Sequence, residues 1–542
     1  MSTLPVFRLA PADVSTNRLI DTSERIFAIK DDFKVAETGG RLSLQAPPLV
    51  VEMETASGGI WAADESQLFN ARLKPTLPSA DEAVQLAEKL VLGGNLLPKL
   101  PKGMGWGKPV VAGTRMATMT RRKRTQRDLD VQVVFPVMIG ELPVVGGGGD
   151  FTVVLGHDAH VIGFHGVWRE VVDRFESVVT PAQQIEDEYY ARFENGPLKI
   201  EDVRSHLAYY SAPGSERQEF LYPVQVLSAH ARLGDELMPL RVSMLPATEF
   251  GPKVVLPEPE LPRPSKARAP QNERKERDGR KRRSYATAAA TTAVVAQVAT
   301  AATKPWEAGT SWIGVSGGLS GSKKNAQGFV DQWNADGWII DFNWGDANAW
   351  ESDWRRNDDS WVDNADFVFY TGHANMNGWT LAAPDDGSLQ FSELGASPGS
   401  PGDLWGQNDL EWVTIAACGP LQDELLAAGG GDVLARWDGA FDGLHQLLGY
   451  GAITFDNEDE GRKLAKYARE GQTLKDAWFR TAKEIQPATN GAAAPDGPTV
   501  WVGVMWASKA GANPINDHAW SHGSVSADPT SPTTLSCMWT VC

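Results

Sequence analysis

Two side chains in this 542-residue chain have the type and the setting for nucleophilic chemistry. Cys418 ends the apolar run EWVTIAACGPLQ and is the one cysteine outside the last six residues, the others being Cys537 and Cys542. His373 follows a second apolar run, DFVFYTGHANMNGW, directly after Gly372. A thiolate attacks a carbonyl carbon far better than a thiol does, and a nearby imidazole can take the thiol proton and later return it to a departing amine. Taken singly, Cys418 reads as a small buried hydrophobe and His373 as a loop histidine bonded to backbone. Their matched placement, each just past the end of an apolar run, joins them into a candidate pair.

The elements that must position this pair come from the pattern after residue 305. Apolar runs predict strands over 311–315, 338–342, 366–371, 412–417, 447–455 and 499–506, and helical spacing predicts helices over 322–335, 421–427, 439–446, 458–470 and 474–485. Continuous apolar strands alternating with helices predict a mostly parallel sheet with helices on both faces, an α/β domain whose ligands sit at the carboxyl ends of the strands.

Upstream, the composition changes at one place. Residues 256–305 open with Pro257, Pro259, Pro262, Pro264 and Pro270, pass through the charge run NERKERDGRKRR and end in an Ala/Thr/Val tract. They read as a linker between an N-terminal region, 1–255, and a C-terminal domain, 306–542. Three of the 20 tryptophans precede residue 305 and 17 follow it, so the two parts are of different kinds. The N-terminal region alternates strand-like runs (131–137, 151–155, 161–168) with helix-like ones (79–92, 181–194), an α+β arrangement in two units of about 1–175 and 176–255.

Two resemblances follow from these strings. The stretch VVFPVMIGELPVVGGGGDFTVVLGHDAHVIGFHGVW resembles the propeptide of thermolysin-type zymogens, a PepSY/FTP-like unit, and 181–248 resembles a second unit of that type. A strand ending in Gly-His and a later strand ending in Ala-Cys resemble the caspase/haemoglobinase fold of cysteine peptidases, over about 312–506. The resemblance implies a six-stranded, largely parallel sheet, with Cys418 as nucleophile, His373 as general acid/base and an oxyanion held by the backbone N–H groups of Ala374 and Cys418. Members of that family usually carry glycine where this chain has Ala374, and GPLQDE after Cys418 fits no one subfamily.

Charge gives the expectation a direction. The net charge is −18, and residues 306–542 hold 13 basic against 32 acidic residues, a field that repels nucleic acid and attracts basic peptides. A pocket for a basic side chain needs a carboxylate, for which Asp385, Asp386, Asp423 and Asp456 are candidates, and the linker offers Arg280, Lys281, Arg282 and Arg283 for processing. The chain therefore reads as a zymogen of a cysteine endopeptidase, self-processed in the linker, whose propeptide-like region is an intramolecular partner covering the crevice. The rival readings are an inactive binding protein for a glycan or a basic partner, and a peptide ligase that passes the same thioacyl intermediate to an amine.

The remaining signals are weaker. The Asp/Asn/Trp-rich segment 343–366 offers oxygen ligands for calcium but lacks the twelve-residue loop spacing, and otherwise no cofactor is expected. Its tryptophans, with Trp379 and Trp405, would suit a sugar-stacking platform. His518 and His522 with Cys537 and Cys542 have no compact metal spacing, and Cys537 to Cys542 is the one conceivable disulfide. No membrane span or signal peptide is visible. Few cysteines favour the cytoplasm, whereas a propeptide-like region fits an exported enzyme.

Overall fold

A computed structural model describes residues 2–263 apart from positions 95, 122, 195 and 235, and residues 306–382, 387–394, 404–489 and 499–542. Arg280, Lys281, Arg282, Arg283, Asp385 and Asp386 lie outside the described residues.

The N-terminal half is dominated by strands. Sixteen of them form one sheet, nearly all of whose pairings are antiparallel, with helices Thr16–Phe27, Ala80–Gly93 and Ala182–Ala191 beside it. Ser15 and Ser79 start the first two helices by accepting hydrogen bonds from the N–H groups of Arg18 and Glu82. The two helix-like stretches anticipated near residues 80 and 182 are thus present.

The expected C-terminal architecture is corrected. The sheet has nine strands, in the order Ile339–Gly345, Glu307–Trp312, Phe367–Thr371, Trp412–Ala416, Gln446–Tyr450, Trp501–Ser508, Thr534–Val541, Arg115–Thr120, Lys123–Asp128. The first five run parallel and the remaining pairings are antiparallel, so this is a mixed sheet and not the six-stranded, mostly parallel one. Its last two strands are a hairpin from the N-terminal half. Apolar periodicity reports burial, not direction or partner, and RMATMT with KRTQRD is too polar to read as part of a buried sheet.

Nor do helices cover both faces. Phe367 and Phe369 point to a face packed by helices Ser322–Ala335, Glu460–Arg469 and Leu474–Ile485, through Phe329, Trp333, Leu464, Ala465 and Trp478. Val368 and Tyr370 point to the other face, covered chiefly by irregular chain, short 3-10 turns and buried Trp354, Trp379, Trp405 and Trp437, the last at the end of the five-residue helix Val433–Trp437. Ring centroids there lie 5.4 Å apart for Trp354 and Trp379 and 5.9 Å for Trp405 and Trp437. Bulky aromatics fill this layer without a long helix, and 421–427 and 439–445, read as helical from spacing, are turns and irregular chain, with Gln446 already in a strand. Trp354, Trp379 and Trp405 are all fully buried, so they do not offer the exposed faces that a sugar platform needs.

The three cysteines are free and buried, and Cys537 and Cys542 lie five residues, about 16 Å, apart along extended chain, too far for the anticipated bridge. Among the described residues no helix is long and apolar enough to cross a membrane.

The embedded hairpin has a testable consequence. Its strand Arg115–Thr120 pairs over six residues with Thr534–Val541, and Arg124 bonds both Asp423 and Asp432. A chain cut by protease within 264–305 is therefore expected to co-elute as one particle in native size-exclusion chromatography and to separate only in denaturant. Separation under native conditions would show that the shared sheet does not hold the halves together.

Candidate functional site

The parallel strands Phe367–Thr371 and Trp412–Ala416 are neighbours, with Thr371 opposite Ala416. His373 and Cys418 stand two residues beyond these partners, so equal offsets from a shared register bring both to the same sheet edge. Gly372 is required between strand and histidine, because a Cβ there would lie 2.2 Å from the Tyr370 hydroxyl. Gly419, with φ of 75°, lets the chain turn sharply after the cysteine.

Both side chains are fully buried. His373 Nε2 lies 2.7 Å from the Gly317 carbonyl, and His373 Nδ1 accepts the Arg241 N–H at 3.2 Å. A carbonyl only accepts and an amide N–H only donates, so these partners assign the neutral imidazole with its proton on Nε2. Burial, with the nearby Arg241 charge, holds the His373 pKa down to about 4 despite the Gly317 bond. Cys418 Sγ accepts the Thr454 N–H at 3.4 Å and lies 3.7 Å from Thr454 Oγ1. Burial raises the thiol pKa, and the Thr454 N–H and Arg241 only partly oppose it. In this state the pair is imidazole and thiol, both neutral. Among the described residues, the backbone N–H groups of Ala374 and Cys418 have no acceptor.

A segment of the N-terminal half contacts both loops: the Arg241 N–H bonds His373, and the Val242 N–H bonds Thr454, which itself bonds Cys418. Residues 240–242 join the strand Glu236–Pro239 to the strand Ser243–Pro246 and reach into the sheet edge. Val242 N–H donates to the Thr454 carbonyl at 2.8 Å, and Asp456 N–H donates to the Val242 carbonyl at 2.9 Å, a parallel bridge. The Arg241 side chain, fully buried, donates from Nη1 to Thr371 Oγ1 and the Ala416 carbonyl, each at 3.0 Å. From Nη2 it donates to the Phe455 carbonyl at 2.7 Å and to Glu460 at 3.1 Å. Glu460 is itself buried and accepts from Asn325, Tyr450 and Gln486.

The other carboxylates named from sequence divide. Asp456 borders this cage: its Oδ2 accepts from Ser320 and Gly321, and its charge acts on Arg241. Asp423 does not; it is taken up by Arg124 and by the N–H groups of Leu425 and Val433. In the calcium candidate segment, Asp346 and Asp363 accept from backbone N–H groups and Asp353 pairs with Arg263, so these three do not converge. Glu307, Asp366, which ends that segment, and Asp409 do approach one another within 4.8 Å, near the N-terminal ends of neighbouring strands, two of which carry His373 and Cys418 past their carboxyl ends, and each has other interactions. His518 contacts the Ser524 carbonyl and His522 contacts Asp336, not the C-terminal cysteines.

Sequence reasoning missed Arg241 and Glu460. The legible trace of Arg241 was one charge inside the apolar run LMPLRVSML; Glu460, in NEDEGRK, looks like any acidic residue in the first turn of a helix.

The depressed imidazole gives a pH prediction. Between pH 6.5 and about 4 the unfolded chain binds a proton at His373 that the folded chain refuses, so His373 makes stability fall on acidification through this window. Comparing His373→Gln with the parent by urea unfolding at pH 7 and pH 4 should show about 3 kcal/mol less acid loss in the variant. Equal losses would mean that the imidazole is not held neutral.

Residues 306–542 match a family described as a domain of unknown function, DUF6345. No curated protein matches the chain. A solved structure described as EndoMS in apo form shares 14% identity over 32% of this chain and 71% of that one, with a TM-score of 0.06, too low to bear on fold or function. Neither a caspase-like nor a propeptide family stands among these matches, and what they establish is that the C-terminal 237 residues are similar to DUF6345.

Proposed function

We propose that the chain is a latent cysteine peptidase in which Cys418 is the nucleophile and His373 carries the proton. The observation that carries this reading is segment 240–242, whose backbone bonds His373 Nδ1 and Thr454, the neighbour of Cys418, at the sheet edge that the two reactive residues share. An extended peptide lying there is placed as a substrate backbone would be, by main-chain pairing along a groove.

With the segment displaced, water and substrate reach the edge and the burial that neutralises both groups is relieved. His373 Nδ1, freed of the Arg241 N–H, takes the Cys418 proton. The sulfur attacks the carbonyl carbon, a C–S bond forms and the C–N bond breaks, and the imidazolium returns its proton to the departing amine. Water then cleaves the thioester and releases the acid, restoring the thiol. The N–H groups of Ala374 and Cys418, without acceptors, are the donors available to the oxyanion.

One observation favours the non-catalytic reading: both imidazole nitrogens are engaged and the ring is fully buried, as in a purely structural histidine. The readings differ in whether loosening the segment activates the thiol. Val242→Pro removes the N–H bonded to Thr454. In that variant we expect iodoacetamide at pH 7 to modify Cys418 roughly tenfold faster, mapped by mass spectrometry against buried Cys537 and Cys542, and peptide hydrolysis to appear. His373→Ala in the same background should abolish both gains. Modification that stays at the Cys537 rate, or that does not need His373, would sink the peptidase reading.

A further inference from the structure

We infer that the cage around the Arg241 guanidinium is a recognition pocket for an arginine side chain, with Glu460 as its anionic floor, and that residues 240–242 occupy it as an internal substrate mimic. As a binding site it stands on its own geometry; as the specificity pocket of a peptidase it rests on the reading of Cys418 and His373 above.

Ownership of the groups argues for a pocket. Every acceptor of the guanidinium belongs to the C-terminal half: Thr371 Oγ1, the Ala416 and Phe455 carbonyls, and Glu460. The occupant belongs to the N-terminal half. Thr371 and Ala416 end the two strands that carry His373 and Cys418, so the cage and the reactive pair share one sheet edge.

The floor is built independently of its occupant. Asn325 Nδ2 donates to Glu460 Oε2 at 3.0 Å, and the Tyr450 hydroxyl and Gln486 Nε2 donate to Oε1 at 2.7 and 2.9 Å. Three separate elements thus fix a buried carboxylate in one orientation. A pair of buried charges is a poor device for mere stability, since well-packed apolar residues of similar volume often serve as well or better. A specific cation site is what such a floor provides.

The cage also discriminates. The acceptors lie around a planar fork, two served by Nη1 and two by Nη2. A lysine ammonium is a single compact centre and cannot bond all four places at once. Beside it, a cleft of about 1020 Å³ bordered by Arg192, Glu216, Ser320, Lys324 and Asp456 gives room for the residues flanking an incoming arginine. The internal arginine is left uncut for a visible reason. Among the described residues its carbonyl receives no hydrogen bond, and the N–H groups of Ala374 and Cys418 do not reach it.

The test uses the full chain with Arg241→Ala, which empties the cage, and Nα-acetyl-arginine amide as probe. Calorimetry is expected to show binding at least tenfold tighter than that of Nα-acetyl-lysine amide, and the added change Glu460→Gln should abolish it. Equal affinity for the two amides, or binding that survives Glu460→Gln, overturns the pocket. Cys418 alkylation on the same samples separates the two readings. Binding with an inert thiol keeps the pocket and removes the peptidase, whereas a reactive thiol without binding does the reverse. Should Arg241→Ala fail to fold, hydrogen exchange on the unaltered chain decides. Excess arginine amide should raise deuterium uptake over 240–246 by competing with Arg241, the lysine amide should not, and unchanged uptake with both overturns the proposal.

Discussion

The ion pair between Arg241 and Glu460 is the constraint on which the rest depends. Two charges lie fully out of water 3.1 Å apart, and their mutual attraction alone would not offset the loss of hydration. The arrangement holds because each partner has further bonds: Glu460 accepts from Asn325, Tyr450 and Gln486, and both Nη groups of Arg241 are taken up by Thr371 and two carbonyls, its Nε–H alone being without a partner among the described residues. Any movement that pulls Arg241 away leaves a buried carboxylate without its cation, so the closed state is strongly specified.

Closure sets the chemistry of the neighbours. Excluding water from the sheet edge lowers the imidazole pKa of His373 and raises the thiol pKa of Cys418, pushing each toward its neutral form. The guanidinium opposes this at the sulfur and reinforces it at the imidazole, as a positive charge between an acid and a base must. Latency in this reading is an electrostatic state as well as a steric one.

The two halves are joined at more places than the segment. The hairpin Arg115–Thr120 and Lys123–Asp128 extends the C-terminal sheet. Buried or half-buried cations cross the boundary: Arg41 to Glu470, Arg480 to Glu52, Arg124 to Asp423, and Lys483 to Gln132. Some of the acidity of the C-terminal half is therefore met by arginines of the N-terminal half, and not only by solvent or a foreign basic partner. Arg263, inside the linker stretch 256–305, is clasped between Trp344 and Trp350 and paired with Asp353. Together these contacts make the N-terminal half a structural part of the site's enclosure.

The apolar runs DFVFYT, before Gly-His, and EWVTIAA, before Cys-Gly, were enough to place His373 and Cys418 past two strand ends, because burial on both faces leaves an unbroken apolar signature. Helices Ser322–Ala335 and Leu474–Ile485 were legible for a similar reason, their apolar faces recurring at helical spacing. Strand direction, the ninefold width of the sheet and its completion by residues 115–128 were not, since hydrophobic period carries no information on partner or polarity. Nor was the aromatic layer that replaced helices on one face. Above all, tertiary structure alone decided that Arg241 meets Glu460: the two are 219 positions apart, each looks like an ordinary charge in its own string, and only burial in a shared cage turns them into a pair.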